Sequence, residues 1–67
     1  MNVIVNGKTK ELTKETETIA DVLASLEVNG KRTAVEQNGT ILRRDEWESQ
    51  PVRDGDQLEI VHFVGGG

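Results

Sequence analysis

Cysteine is absent from all 67 residues, which excludes disulfides, thiolate metal ligands and cysteine nucleophiles together. Histidine occurs once, at His62, and with no second imidazole a metal cluster loses its remaining usual ligands; the residue reads as part of a strand. Positive charge is scarce. Eight Lys and Arg against twelve Asp and Glu give a net charge of −4, which repels phosphate backbones and anionic lipid surfaces, so nucleic acid and membrane are not expected partners. No apolar run approaches a membrane span. The stretch Met1-Asn-Val-Ile-Val-Asn-Gly-Lys8 lacks the basic region and long apolar core of a secretory signal, and the expected location is the cytoplasm. A phosphate-cradling glycine loop is missing too, because Gly7, Gly30, Gly39 and Gly55 are isolated and each reads as a turn or cap.

What is present is one small domain. A chain of this length buries only about 60% of the surface its unfolded form exposes, which leaves little room for an enclosed active site. The 34% hydrophobic content suffices for a modest core, which must stabilise the fold without covalent help. Glu11, Glu15, Glu17, Asp21, Glu46 and Glu48 lie in polar contexts and read as solvated surface, not as a paired acid and base. The basic pairs Lys31-Arg32 and Arg43-Arg44 read as solvated loop charge.

Along the chain, Met1, Val3 and Val5 alternate with polar neighbours, the period of a half-buried strand. Asn6-Gly7 supplies the positive φ angles of a tight hairpin, and a second strand is expected over roughly Lys8 to Leu12. Thr18 with Asp21 three residues on resembles a capping box, opening a helix whose apolar stripe is Ile19, Val22, Leu23 and Leu26. Asn29-Gly30 is expected to close that helix. Thr33-Ala-Val-Glu-Gln37 reads as a strand anchored by Val35, and Asn38-Gly39 signals a second hairpin into Thr40-Ile-Leu42. Trp47 pins a charged single-turn helix or loop to the core, and Pro51 forbids regular helix there. After the turn Asp54-Gly55-Asp56 comes a last strand. Leu58 and Ile60 share one face of it; Glu59, Val61 and Phe63 share the other, so two apolar side chains point away from the core.

If the first and last strands are parallel neighbours, the intervening chain is the long crossover that such pairing requires. The expected fold class is therefore α+β, a β-grasp or ubiquitin-like mixed sheet of four to five strands wrapped on one helix. The expected organisation is a β-grasp domain over residues 1–64 and a flexible C-terminal tail, Gly65, Gly66 and Gly67, over 65–67. Side-chain-free residues reach roughly 10 Å past the last packed residue and thread channels too narrow for any Cβ. The tail is the candidate reactive arm, with a free carboxylate on Gly67. As a docking surface beside it we single out Val61 and Phe63.

The hairpin Asn38-Gly-Thr-Ile-Leu-Arg-Arg44 followed by Trp47, the Asp54-Gly55-Asp56 turn and the ending Glu59-Ile-Val-His-Phe-Val-Gly-Gly-Gly67 resemble the ThiS family, the thiamin-biosynthesis sulfur carriers. The resemblance covers essentially the whole chain, and its most specific part is the last eleven residues. One departure is Arg43, where members often carry proline, which bears on the shape of that loop. The resemblance implies a protein co-substrate and not an enzyme. A ubiquitin-activating-type adenylating enzyme (ThiF-like) would join the Gly67 carboxylate to AMP, with ATP used by that partner and no cofactor bound by the domain itself. A cysteine desulfurase or sulfurtransferase would supply sulfur, leaving a thiocarboxylate, and a thiazole synthase (ThiG-like) would take the sulfur into thiazole. Gly65, Gly66 and Gly67 would enter the partners' active sites. Three other readings stay open: a small subunit of molybdopterin synthase, a ubiquitin-related modifier, and a β-grasp interaction module with an inert tail.

Overall fold

The computed structural model describes residues 1–63. The elements in order are β1 (Asn2–Val5), β2 (Lys8–Glu11), α1 (Ile19–Ser25), β3 (Thr33–Gln37), β4 (Thr40–Leu42), a 3-10 turn (Arg44–Glu46) and β5 (Gln57–His62). The strands form one sheet in the order β2-β1-β5-β3-β4, with β1 and β5 parallel and the remaining pairs antiparallel. The β-grasp architecture and its parallel pairing of first and last strands are thus as the sequence predicts.

Both hairpins turn on Asn-Gly with positive φ at each central residue: 49° and 83° at Asn6-Gly7, 50° and 89° at Asn38-Gly39. The two asparagines do more than turn. Asn6 Oδ1 accepts from Ile60 N at 2.8 Å while Asn6 Nδ2 donates to the Ile60 carbonyl at 3.1 Å, so its carboxamide extends the β1–β5 ladder past the end of β1. From the other side, Asn38 Oδ1 accepts from Gln57 N at 2.9 Å. The strand β5 is held between the two turns.

Helix α1 starts as its capping signal requires. Thr18 Oγ1 accepts from Asp21 N at 3.2 Å, and Asp21 Oδ2 accepts from the backbone N–H groups of Glu17 and Thr18, each at 3.0 Å. Those two donors, Glu17 first, hold the Asp21 carboxyl below its ordinary value. The first-turn N–H groups of Ile19 and Ala20 donate to the carbonyls of Gln50 and Trp47, so the 43–52 segment caps the helix across the fold.

The end of the helix differs from expectation. Closure falls before Asn29-Gly30, with Glu27 in the left-handed conformation at φ 58° and the paired bonds Val28 N to Leu23 O and Glu27 N to Ala24 O, a Schellman arrangement. The early reversal brings Val28 against the core, which offsets the strained φ of a non-glycine residue. Leu26 accordingly sits at the cap and is half-buried, at the margin of the expected stripe. Gly30 serves packing instead of capping. A Cβ there would lie 3.2 Å from Trp47 Cζ3, so its bare backbone makes room for the indole.

Ile19, Val22 and Leu23 pack on Val3, Val5, Val35, Leu42 and Leu58 of the sheet, with Leu12, Trp47 and Val52 completing the core. A helix of seven residues is too short to persist alone, so this burial holds it in place.

Candidate functional site

Strand β5 alternates as the sequence predicts, Leu58 buried below the sheet and Glu59, Val61 and the following Phe63 exposed above it. Register then decides what meets them. Val61 lies opposite Ala34 and Glu59 opposite Glu36, while Glu36 is in turn opposite Ile41 of β4. The result is a shallow groove of about 260 Å³ on the outer face, walled by Ile41, Val61 and Phe63 with Ala34 between them. These three are the large apolar side chains left exposed among the described residues: Ile41 at 73%, Phe63 at 57% and Val61 at 49%. The sequence reading found Val61 and Phe63 and missed Ile41. The signal was available, since Leu42 turned inward obliges its neighbour to turn outward.

Glu36 and Glu59 face each other directly in this groove, and neither forms an ion pair among the described residues. Like charges directly opposite across strands destabilise a sheet.

Beyond the groove, Phe63 N donates to the Arg32 carbonyl at 2.8 Å and ties the end of the described chain to the start of β3. The expected tail, Gly65, Gly66 and Gly67, lies outside the described residues. His62 is a strand residue opposite Thr33, its Nδ1 at 3.2 Å from Thr33 Oγ1. That hydroxyl already donates to the Asn29 carbonyl at 2.8 Å, which leaves its lone pairs facing the ring.

No cluster of His, Asp and Glu suited to a metal occurs among the described residues. A second, polar hollow of about 470 Å³ lies beside Gln37, Asn38, Gln50 and Asp56. Partial burial pushes the Asp56 carboxyl up, but donors from Arg53 N, Asn38 and Gln37 and the Arg53 charge outweigh it and hold the group below its ordinary value. Gln37 spends its amide on Pro51 O, Asp56 and Gln50, so this network fastens loops together. The basic pairs are partly structural, in contrast to the expectation of solvated charge. Arg43 pairs with Asp45 at 3.1 Å on an exposed surface, whereas the Arg44 guanidinium lies 5.3 Å from the centre of the Trp47 ring and donates to the Gly30 carbonyl. Arg43 has φ −77° and ψ 148°, a conformation that proline also adopts, so the departure at this position leaves the loop path intact.

Comparison with known proteins agrees with this geometry. The ThiS family model matches residues 3–67. The chain is 43% identical over 63 residues to the sulfur carrier protein ThiS of Bacillus subtilis (strain 168), covering 94% of this chain and 96% of that one. It is 36% identical over 67 residues to a thiazole synthase of Paramagnetospirillum magneticum, where all of this chain corresponds to 20% of the longer protein. Among solved structures, the crystal structure of a thiamine biosynthesis protein (ThiS) from Geobacter metallireducens superposes with a TM-score of 0.85 at 35% identity, covering 100% of both chains.

Proposed function

The chain belongs to the ThiS family, and from that premise we propose that it is a sulfur carrier of thiamin biosynthesis whose cargo is held on the α-carboxylate of Gly67. The observation that carries this reading is the family match running from residue 3 to residue 67, tail included. The same likeness favours the thiamin pathway over molybdopterin synthesis or a ligated modifier.

An ionised α-carboxylate, with a reference pKa of about 3.3–3.7, resists nucleophiles at neutral pH and must first be activated. A ubiquitin-activating-type adenylating enzyme does so with ATP: the carboxylate oxygen attacks the α-phosphorus, pyrophosphate leaves, and the Gly67 carbonyl becomes a mixed anhydride with AMP. A persulfide from a cysteine desulfurase or sulfurtransferase attacks that carbonyl and expels AMP. A second thiol then reduces the resulting acyl disulfide to the thiocarboxylate. Thiazole synthase consumes the sulfur. Such a carrier is a co-substrate and contributes no catalytic group of its own. Gly65 to Gly67 supply a backbone thin enough for the partners' channels, and Val61 and Phe63 supply the docking surface beside it. The working location is the cytoplasm. No helix among the described residues is long and apolar enough to cross a bilayer.

An interaction module with an inert tail is the reading from a different class. Adding one residue after Gly67 separates the two. Sulfur uptake in the presence of ATP, the adenylating enzyme and a sulfur donor is expected to vanish, and undiminished uptake would refute the proposal.

A further inference from the structure

We infer that Asn6 is a positioning residue for tail delivery: by clasping the backbone of Ile60 it holds the β1-side edge of β5 and fixes the direction in which that strand leads into Gly65, Gly66 and Gly67. The inference rests on the proposed carrier function and adds to it a residue far from the tail in sequence, on which every partner that handles Gly67 depends alike.

Strand β1 pairs with β5 at two positions, Ile4 with Gln57 and Val5 with Leu58, whereas β5 runs on to His62. Asn38 N donates to the Gln57 carbonyl and Phe63 N to the Arg32 carbonyl. By the alternation of the ladder, Gln57, Glu59, Val61 and Phe63 therefore turn their backbone groups to the β3 side, and Leu58, Ile60 and His62 turn theirs to the β1 side. The Leu58 carbonyl accepts from Asn6 N at 2.9 Å. At Ile60 the strand β1 has ended, and the Asn6 carboxamide takes its place, accepting from Ile60 N at 2.8 Å and donating to the Ile60 carbonyl at 3.1 Å. No further hydrogen bond reaches that backbone edge among the described residues, so Asn6 is its last hold before the tail. Such a clasp needs a side chain that both donates and accepts, and a carboxylate offers acceptors alone. The hairpin makes no such demand, because Gly or Asp suits the φ of 49° at this position. The turn and the clasp can therefore be separated by substitution. Ile60 precedes Gly67 by seven residues, which reach at most ~25 Å when extended, so a swing of β5 by about 10° about its β3 edge would carry the chain end off by up to ~4 Å. A misplacement of about 1 Å already costs a reaction about 10²-fold in rate.

The test uses the full chain with Asn6→Gly, which keeps the turn and removes the clasp, and with Asn6→Asp, which keeps an acceptor and removes the donor. Each is given to the cognate adenylating enzyme with ATP, and pyrophosphate release is followed as the carrier concentration is varied. Both variants are expected to lose about tenfold in kcat while KM stays within about twofold of the parent's, because Ile41, Val61 and Phe63 are untouched. In the free variants, amide hydrogen exchange followed by nuclear magnetic resonance is expected to quicken about tenfold or more at Ile60 and Phe63, with α1 unaffected and the melting midpoint within a few degrees of the parent's. A loss confined to kcat and to the end of β5 is a combination that general loosening of the fold does not produce. A variant that melts far below the parent, with exchange quickened throughout α1, would mean that Asn6 serves the fold at large and would overturn the inference. So would a kcat equal to the parent's, or a rise in KM alone. If the parent itself releases no pyrophosphate, the carrier function falls and this inference with it; if the parent does and both variants match it, the inference alone falls.

Discussion

Replacing Leu23 by Asp measures how much of the fold depends on the helix stripe. Leu23 is 5% exposed and faces the sheet within the central cluster. At about 0.05–0.15 kcal/mol per residue, a 67-residue domain is stable by roughly 3–10 kcal/mol. Truncating a buried leucine to Ala costs about 2–5 kcal/mol. Aspartate adds the penalty of burying a carboxylate, about several kcal/mol more unless it takes up a proton. The sum reaches or exceeds the whole stability, so Leu23→Asp is expected to lack a cooperative transition by circular dichroism at neutral pH. Leu26→Asp is the control. Leu26 is half-buried at the cap, and the same charge there is expected to lower stability by about 1–2 kcal/mol while leaving a cooperative melt. A Leu23→Asp chain that melts within a few degrees of the parent would refute the packing account.

Gly30→Ala pushes a Cβ to 3.2 Å from Trp47 Cζ3 and is expected to cost about 1 kcal/mol and shift the tryptophan emission; unchanged emission and stability would mean that the indole does not need the space. Asp21 and Asp56 have folded values below 3.8, so the unfolded chain takes up protons first on acidification; the stability they contribute is present above that value and lost as pH falls through their folded values. Thermal melts from about pH 6 to pH 3 are expected to show a falling midpoint, and Asp56→Asn is expected to flatten that fall; an acid slope identical to the parent's would count against the Asp56 network. Val61→Asp alters a half-exposed site and is expected to leave the stability within about 0.5 kcal/mol of the parent while raising the KM for adenylation at least about tenfold. An unchanged KM would remove Val61 from the docking surface.

Local chemistry was legible in the sequence wherever a residue's role is decided within a few positions of itself. The two Asn-Gly turns, the Thr18–Asp21 capping box and the alternation of β5 are of this kind, and all stand as read. What escaped notice depends on strand register or on packing between distant segments. Asn6 was visible as a turn residue, but its carboxamide bonds to Ile60, 54 positions away, only because β1 and β5 run parallel. Gly30 looks like a helix cap in sequence, and nothing local reveals that an indole lies against it. Glu27 gave no sign of ending the helix, since its left-handed backbone is stabilised by Val28 reaching the core. The same limit applies to the site. Alternation alone exposes Val61, but it takes the β3–β5 register to set Glu36 against Glu59 and to bring Ile41 into the same groove.

The central claim is that sulfur is carried on the carboxylate of Gly67. Intact-mass analysis after incubation with ATP, the cognate adenylating enzyme and a sulfur donor tests it most directly. A gain equal to the exchange of one oxygen for one sulfur, confined by fragmentation to the last residue, is the predicted result. An unchanged mass in that mixture, when adding thiazole synthase and its other substrates to the same components does yield thiazole, or sulfur located anywhere else in the chain, would contradict it.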